Sequence, residues 1–183
     1  MGFAVNVIFL GIAFITLAVS SGFASNSAVR LAGLPEYSSN DKLKTAHKYL
    51  TWASIIGWIT VAVLIIGTIL SVVFAPEETE AGMVTGASAK DYIVYGLLFL
   101  TLLSTFAVGI LAALAATDIH NSGVTNNNLS YRNSIISAVL AIVVAVSILI
   151  ALIARFLYKP SKNKKVVKLD KEIRDAKLEL GEV

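Results

Sequence analysis

The chain has 183 residues, 56% of them hydrophobic and only 15% charged, where a soluble domain carries about 25% charged residues. That length holds one helical bundle and a tail, with no room for a second soluble domain of ordinary size. The formal charge of +3 is too small to suggest a nucleic-acid binder, and the absence of cysteine removes disulfides, thiol catalysis and thiolate metal sites together.

Charge is unevenly spread along the chain. Residues 1–29, 49–76, 92–117 and 133–154 contain no Asp, Glu, Lys or Arg. An apolar helix of about 20 residues crosses a bilayer core of about 30 Å. A chain this short cannot wrap four such cylinders in its own protein. The expected fold is therefore all-α: a four-span transmembrane helical bundle built from two helical hairpins over residues 1–158, with spans near 3–24, 50–75, 92–117 and 134–157. Residues 159–183 are expected to form a basic amphipathic tail or short helix.

The first apolar run has Gly22, Phe23 and Ala24 where a secretory signal would have small residues before its cleavage site, but no positive residue precedes it, so it reads as a retained span. Met1 and Gly2 evoke a myristoylation signal, yet Asn6 stands where Ser or Thr is required. The helix can continue to Leu31, with Gly33 and Pro35 as stop signals. Ser38, Ser39 and Asn40 are N-cap residues, and Asp41 suits a first turn, so the second helix is expected from Asp41 to Phe74, ahead of Pro76. Its first ten residues are polar and should project from the lipid. Ser88 and Asp91 have capping-box spacing and open a third helix that runs to about Ile119. Asn126, Asn127 and Asn128 are expected to cap the fourth helix, and Pro160 to close it. Helices of about 30 residues would be about 45 Å long, so one end of the bundle should stand clear of the hydrocarbon. The end of the first helix can be laid on that of the third, but no better than unrelated apolar helices align, and no repeat is assigned.

The eight Lys and Arg residues after Tyr158, with Arg155, place the tail on the cytoplasmic face, together with the N-terminus and the loop holding Glu77, Glu78 and Glu80. Arg30, Lys42, Lys44 and Lys48 on the first hairpin turn pull the other way; the denser tail is expected to set the orientation. Asn128, Leu129 and Ser130 form a glycosylation sequon on the non-cytoplasmic side.

No ionisable residue lies within the expected spans, which argues against a proton-coupled transporter or pump. Asn6, Thr60, Thr68, Ser104, Thr105 and Ser147 are mild, since Ser and Thr can bond their own helix carbonyls. Asp118 and His120, with His47 on the neighbouring hairpin, could form a metal site or an acid–base pair. Residues two apart do not share a helix face, however, and the plainer reading is interfacial polar residues at a helix end. Nothing resembles a nucleophile with its base, a phosphate-binding glycine loop or a zinc signature. The expectation is a protein with no enzymatic activity, cofactor or metal.

Small residues recur at helix-packing intervals. Gly109 and Ala113 form a G-x-x-x-A pair flanked by Ala112 and Ala116, while Ser134, Ala138, Ala141 and Ala145 make one stripe, with Ser147 and Ala151 adjacent. In lipid, close backbone approach drives association, so these positions are expected to pack helices within the bundle rather than between copies. Trp52, Trp58, Tyr92, Tyr95 and Tyr158 fall near span ends and read as interfacial anchors. In the tail, Val166, Leu169, Ile173, Ala176 and Leu180 follow a heptad seam that a partner or an anionic lipid surface would bury. Lys159, Lys162, Lys164, Lys165 and Lys168 form a basic cluster suited to acidic head groups or an acidic protein face. A solvated tail is the alternative.

Claudins, tetraspanins and connexins rely on extramembrane cysteines that this chain lacks. Residues 112–123 (AALAATDIHNSG) and 42–59 (KLKTAHKYLTWASIIGWI), about a sixth of the chain, resemble the helix–turn segments of multi-span minor capsid proteins lying between the inner membrane and the capsid of large icosahedral double-stranded DNA viruses. The resemblance implies a non-enzymatic virion protein that tethers membrane to capsid, packed in multiple copies against itself and other minor capsid proteins. The residues alone lead to the same class, a structural membrane protein linking a bilayer to a protein assembly. The alternatives are a small channel or transporter subunit with Ser and Thr lining a narrow path, or an accessory subunit of an energy-transducing complex. For the latter, His47 and His120 both lie outside the spans and leave no convincing haem or chlorophyll ligand set.

Overall fold

The computed structural model describes residues 2–73 and 89–157, and these form four long helices: α1 (Gly2–Ala32), α2 (Asp41–Val73), α3 (Ala89–Asn121) and α4 (Asn128–Leu157). The glutamate loop, the Ser88 half of the capping box and the whole basic tail lie outside the described residues. Among the described residues there is no strand. At 30 to 33 residues, each helix is about 45–50 Å long.

Local chemistry sets the helix ends. Beyond α1, Pro35–Ser38 form a single 3-10 turn with Pro35 at its start. Asn40 then caps α2: its Oδ1 accepts the backbone N–H groups of Lys42 and Leu43 at 3.1 and 3.2 Å, satisfying donors that have no partner within the helix. Gly123, with φ of 71°, supplies the left-handed residue that turns the chain out of α3. Asn127, one of the three asparagines expected to cap α4, differs from expectation here. It faces back toward α3, its Nδ2 donating to the Ile119 carbonyl at 2.9 Å and to Ser122 Oγ at 3.0 Å. A second 3-10 turn, Thr125–Asn127, leads into α4.

Each helix packs on its neighbours in sequence, and α1 closes the ring against α4. Short turns make α1–α2 and α3–α4 antiparallel hairpins, and the α1–α4 contact pairs Ser20 with Ser137 and Ser27 with Ser130, so it too is antiparallel. Two apolar clusters fill the interior. One, next to the short turns, joins Ala24, Leu31, Leu43, Leu50, Ala115 and Ile119; the other joins Leu10, Leu17, Leu64, Leu98, Val144 and Ile148. Between them in chain position come Ser20 and Ser21 on α1, Gly57 and Thr60 on α2, and Thr105 on α3, all buried.

Polarity is distributed opposite to that of a water-soluble bundle. Buried positions include Ser20, Ser21, Ser27, Thr101, Ser134 and Ser137, whereas Ile8, Ile15, Trp58, Phe99, Leu103 and Ile142 face outward. Small and hydroxylated residues let backbones approach, and lipid rewards a greasy exterior. Four helices are long and apolar enough to cross a bilayer: Val7–Ala32, Asp41–Leu70, Tyr92–Asn121 and Asn128–Ala154. The protein is an integral, multi-pass membrane protein.

Candidate interaction surfaces

Three surfaces offer themselves: the polar end at the short turns, the apolar outer belt, and a groove between α3 and α4. The polar end is cross-tied. Asn40 Nδ2 donates to the Ser122 carbonyl at 3.1 Å, and Lys42 Nζ to the Asn121 carbonyl at 3.1 Å, so the first turn is bonded to the second. A cation at the last carbonyls of α3 also opposes the negative end of that helix. Each histidine meets a tyrosine. Tyr37 OH lies 3.2 Å from His47 Nδ1 with the rings edge to face, and the rings of His120 and Tyr131 are 5.6 Å apart. Among the described residues, no group of three His, Cys, Asp or Glu side chains gathers as metal ligands would.

Charged side chains stand outward on this end. Arg30 bonds Asn26 at 2.7 Å, and Lys44 pairs with Asp41 at 3.0 Å, a contact too exposed to matter much for stability. Lys48 and Arg132 are exposed as well. One carboxylate oxygen of Glu36, Oε2, is buried without a hydrogen-bond partner. Asn128 is exposed at the start of α4, but Ser130 of the same sequon is buried, and its carbonyl accepts a bond from Ser27 Oγ at 3.2 Å.

Several hydroxyls within the spans are internally engaged. Thr60, Thr68, Thr101, Thr105, Ser134 and Ser147 each donate to the carbonyl four residues earlier, at 2.6 to 2.8 Å. Ser20 and Ser137 do more: Ser20 Oγ donates to the Ser137 carbonyl at 2.9 Å, and Ser137 Oγ to the Ser20 carbonyl at 3.0 Å. This reciprocal pair, followed one heptad away by the single bond from Ser27 Oγ to the Ser130 carbonyl, was not singled out from the sequence. The spacing of seven between Ser20 and Ser27, and between Ser130 and Ser137, was the available signal.

The small-residue positions divide between two environments. Gly109 lies against α4, where an added Cβ would stand 3.3 Å from the Ala141 Cβ; Ala141 and Ala145 are buried. Ala138 is half-buried and Ala113 is exposed. Both line the α3–α4 groove of about 350 Å³, which runs from His120 and Tyr131 at the polar end to Ile142 deeper in the span. Trp52, Trp58 and Tyr92 are exposed, as belt residues would be, and Trp58 Nε1 reaches Ser25 Oγ at 3.4 Å. The tail residues with lysine and heptad patterns, 159–183, lie outside the described residues. No protein-family model matches the chain, and neither a curated protein nor a solved structure matches it.

Proposed function

We propose that the protein is a non-enzymatic anchor that holds a bilayer to a protein assembly, present in multiple copies, with the resemblance to inner-membrane minor capsid proteins as the specific form of that reading. The observation that carries it is the cross-tied polar end. The Asn40–Ser122 and Lys42–Asn121 bonds join the two hairpin turns into one platform, on which Arg30, Lys44, Lys48 and Arg132 are exposed. A preorganised charged platform suits docking, because little side-chain or loop freedom is lost when a partner binds. In this reading the interior serves packing: Leu17, Leu50, Leu64, Leu98 and Ile148 are completely buried along the bundle. The start of α1 and the end of α4 lie at the opposite end from the platform, so both termini would share one face of the membrane, and the basic tail would extend from it.

The test is native extraction from the source membrane followed by identification of stoichiometric partners. The expected result is a fixed ratio to a shell-forming protein, lost in the Lys44→Glu/Lys48→Glu variant. Recovery of the protein alone with ion or solute flux in liposomes would replace this reading with a channel. Recovery with redox subunits would replace it with an accessory role in an energy-transducing complex.

A further inference from the structure

The α3–α4 groove has two chemically different ends. Its deep part is apolar, floored by Ala113, Ala116 and Ala138 and bounded by Ile142. Its other end carries His120 and Tyr131. Arg132 does not itself line the groove, but it is on the same helical stripe of α4 as Ile135 and Val139, at spacings of three and seven, and both of those residues do. Arg132 is exposed and has no hydrogen-bond or ion-pair partner among the described residues, in contrast to Arg30, which holds Asn26. Asp118, two residues before His120, is on a different face of α3 and does not line the groove.

Size and charge suit a slender, anionic occupant. A helix is about 10 Å across, and the groove spans about 16 Å of α4 from Tyr131 to Ile142. The groove's volume of roughly 350 Å³ falls at the low end of the range of small-molecule pockets, enough to seat part of an acyl chain. The His120 and Tyr131 rings, 5.6 Å between centroids, border its polar end. Ala113, Ala116, Ala138 and Ile142 fall in the charge-free runs 92–117 and 133–154, where acyl chains are the expected neighbours, while His120 and Tyr131 lie just beyond those runs. Arg132, at the polar end of that stripe, offers a guanidinium unpartnered among the described residues, and its forked donors suit the oxygens of a phosphate.

We propose that this groove is a specific site for one anionic phospholipid, with an acyl chain lying over Ala113, Ala116 and Ala138 and the phosphate held by Arg132 beside His120 and Tyr131. The site does not depend on the anchoring role; a channel or an accessory subunit would carry it equally.

The experiment is native mass spectrometry of the full-length protein in mild detergent, titrated with phosphatidylglycerol or phosphatidylcholine. Wild-type protein is expected to retain one phosphatidylglycerol, with a preference over phosphatidylcholine of about fivefold. Arg132→Gln should abolish that preference, and Arg30→Gln, which removes an arginine from the same end, should not. Ala113→Leu places a side chain in the groove from an exposed position, so it should fold normally, as checked by helical circular dichroism, and lose retention of both lipids. Equal retention of the two lipids by wild-type protein would overturn the proposal. So would unchanged phosphatidylglycerol retention in Ala113→Leu, which would locate the lipid on the surface rather than in the groove. Dimer formation that Ala113→Leu abolishes would also overturn it, giving the groove to a second copy.

Discussion

Gly57 and Ser21 show how one residue can set the distance between two helices. A Cβ on Gly57 would collide with Ser21 Oγ and stand 3.1 Å from Ser21 Cβ. Ser21 cannot swing aside freely, because its hydroxyl donates to the Leu17 carbonyl at 2.9 Å. Alanine gains about 1 kcal/mol over glycine in a helix interior, while forcing an extra carbon into a packed contact costs about 1–3 kcal/mol. Gly57→Ala should therefore destabilise the bundle by about 1 kcal/mol, and Ser21→Gly should restore it by clearing the space. Gly22→Ala should do the reverse, since nothing lies within 4 Å of its added Cβ, and be neutral or slightly stabilising. Equilibrium unfolding in mixed micelles reads all three. Equal stability of Gly57→Ala and Gly22→Ala would mean that α1 and α2 do not approach closely at Ser21.

At the scale of elements, the α1–α4 seam is held by hydroxyls in a fixed antiparallel register. The Oγ atoms of Ser20 and Ser137 are 3.1 Å apart, close enough for two sulfurs in their place to bond. The chain contains no cysteine, so the Ser20→Cys/Ser137→Cys protein should form one intramolecular disulfide on mild oxidation in membranes. Ser20→Cys/Ser147→Cys should not, because ten residues displace the thiol by about 15 Å along α4. Reversed behaviour of the two pairs, read by thiol labelling, would refute the register. The boundary between α1 and α2 was legible in the sequence because it depends on local chemistry, at Pro35 and Asn40; the left-handed Gly123 after α3 was not read as a stop. Helix pairing was much less legible. In α1 the outward Ile8, Ile12 and Ile15 are as greasy as the buried Leu10, Ala13 and Leu17, so the usual helical alternation of polar and apolar faces is absent. The G-x-x-x-A spacing likewise leaves the partner face open. The α3 positions that follow Gly109 into the interior are Ala112 and Ala116, and Ala113 is turned onto the groove. The groove itself had no sequence signature, because it is made where two helices meet, by residues more than ten positions apart in the chain.

For the whole molecule, the decisive property is which solvent the outer surface fits. Leu103 is in the middle of the span Tyr92–Asn121 and is 51% exposed. On a bundle built for water, Leu103→Lys would improve matters, replacing exposed hydrocarbon with a charge at almost no change in helix propensity. In a bilayer the same change puts an ammonium near the centre of the hydrocarbon, at a cost of about 2.5–3.5 kcal/mol for insertion. The two environments thus predict opposite signs for one substitution. Leu103→Lys should reduce the fraction of chains that resist alkaline carbonate extraction, while Leu103→Phe should leave it unchanged. The seam residue Ser137 gives the complementary comparison. It is buried against Ser20, so Ser137→Leu makes the chain more hydrophobic and should leave insertion intact while weakening the folded bundle by overpacking. Measured together, integration should follow the outer surface and folding stability the inner one. A Leu103→Lys protein that stayed in solution without detergent would show that water, and not lipid, is the medium the outer faces are built to meet.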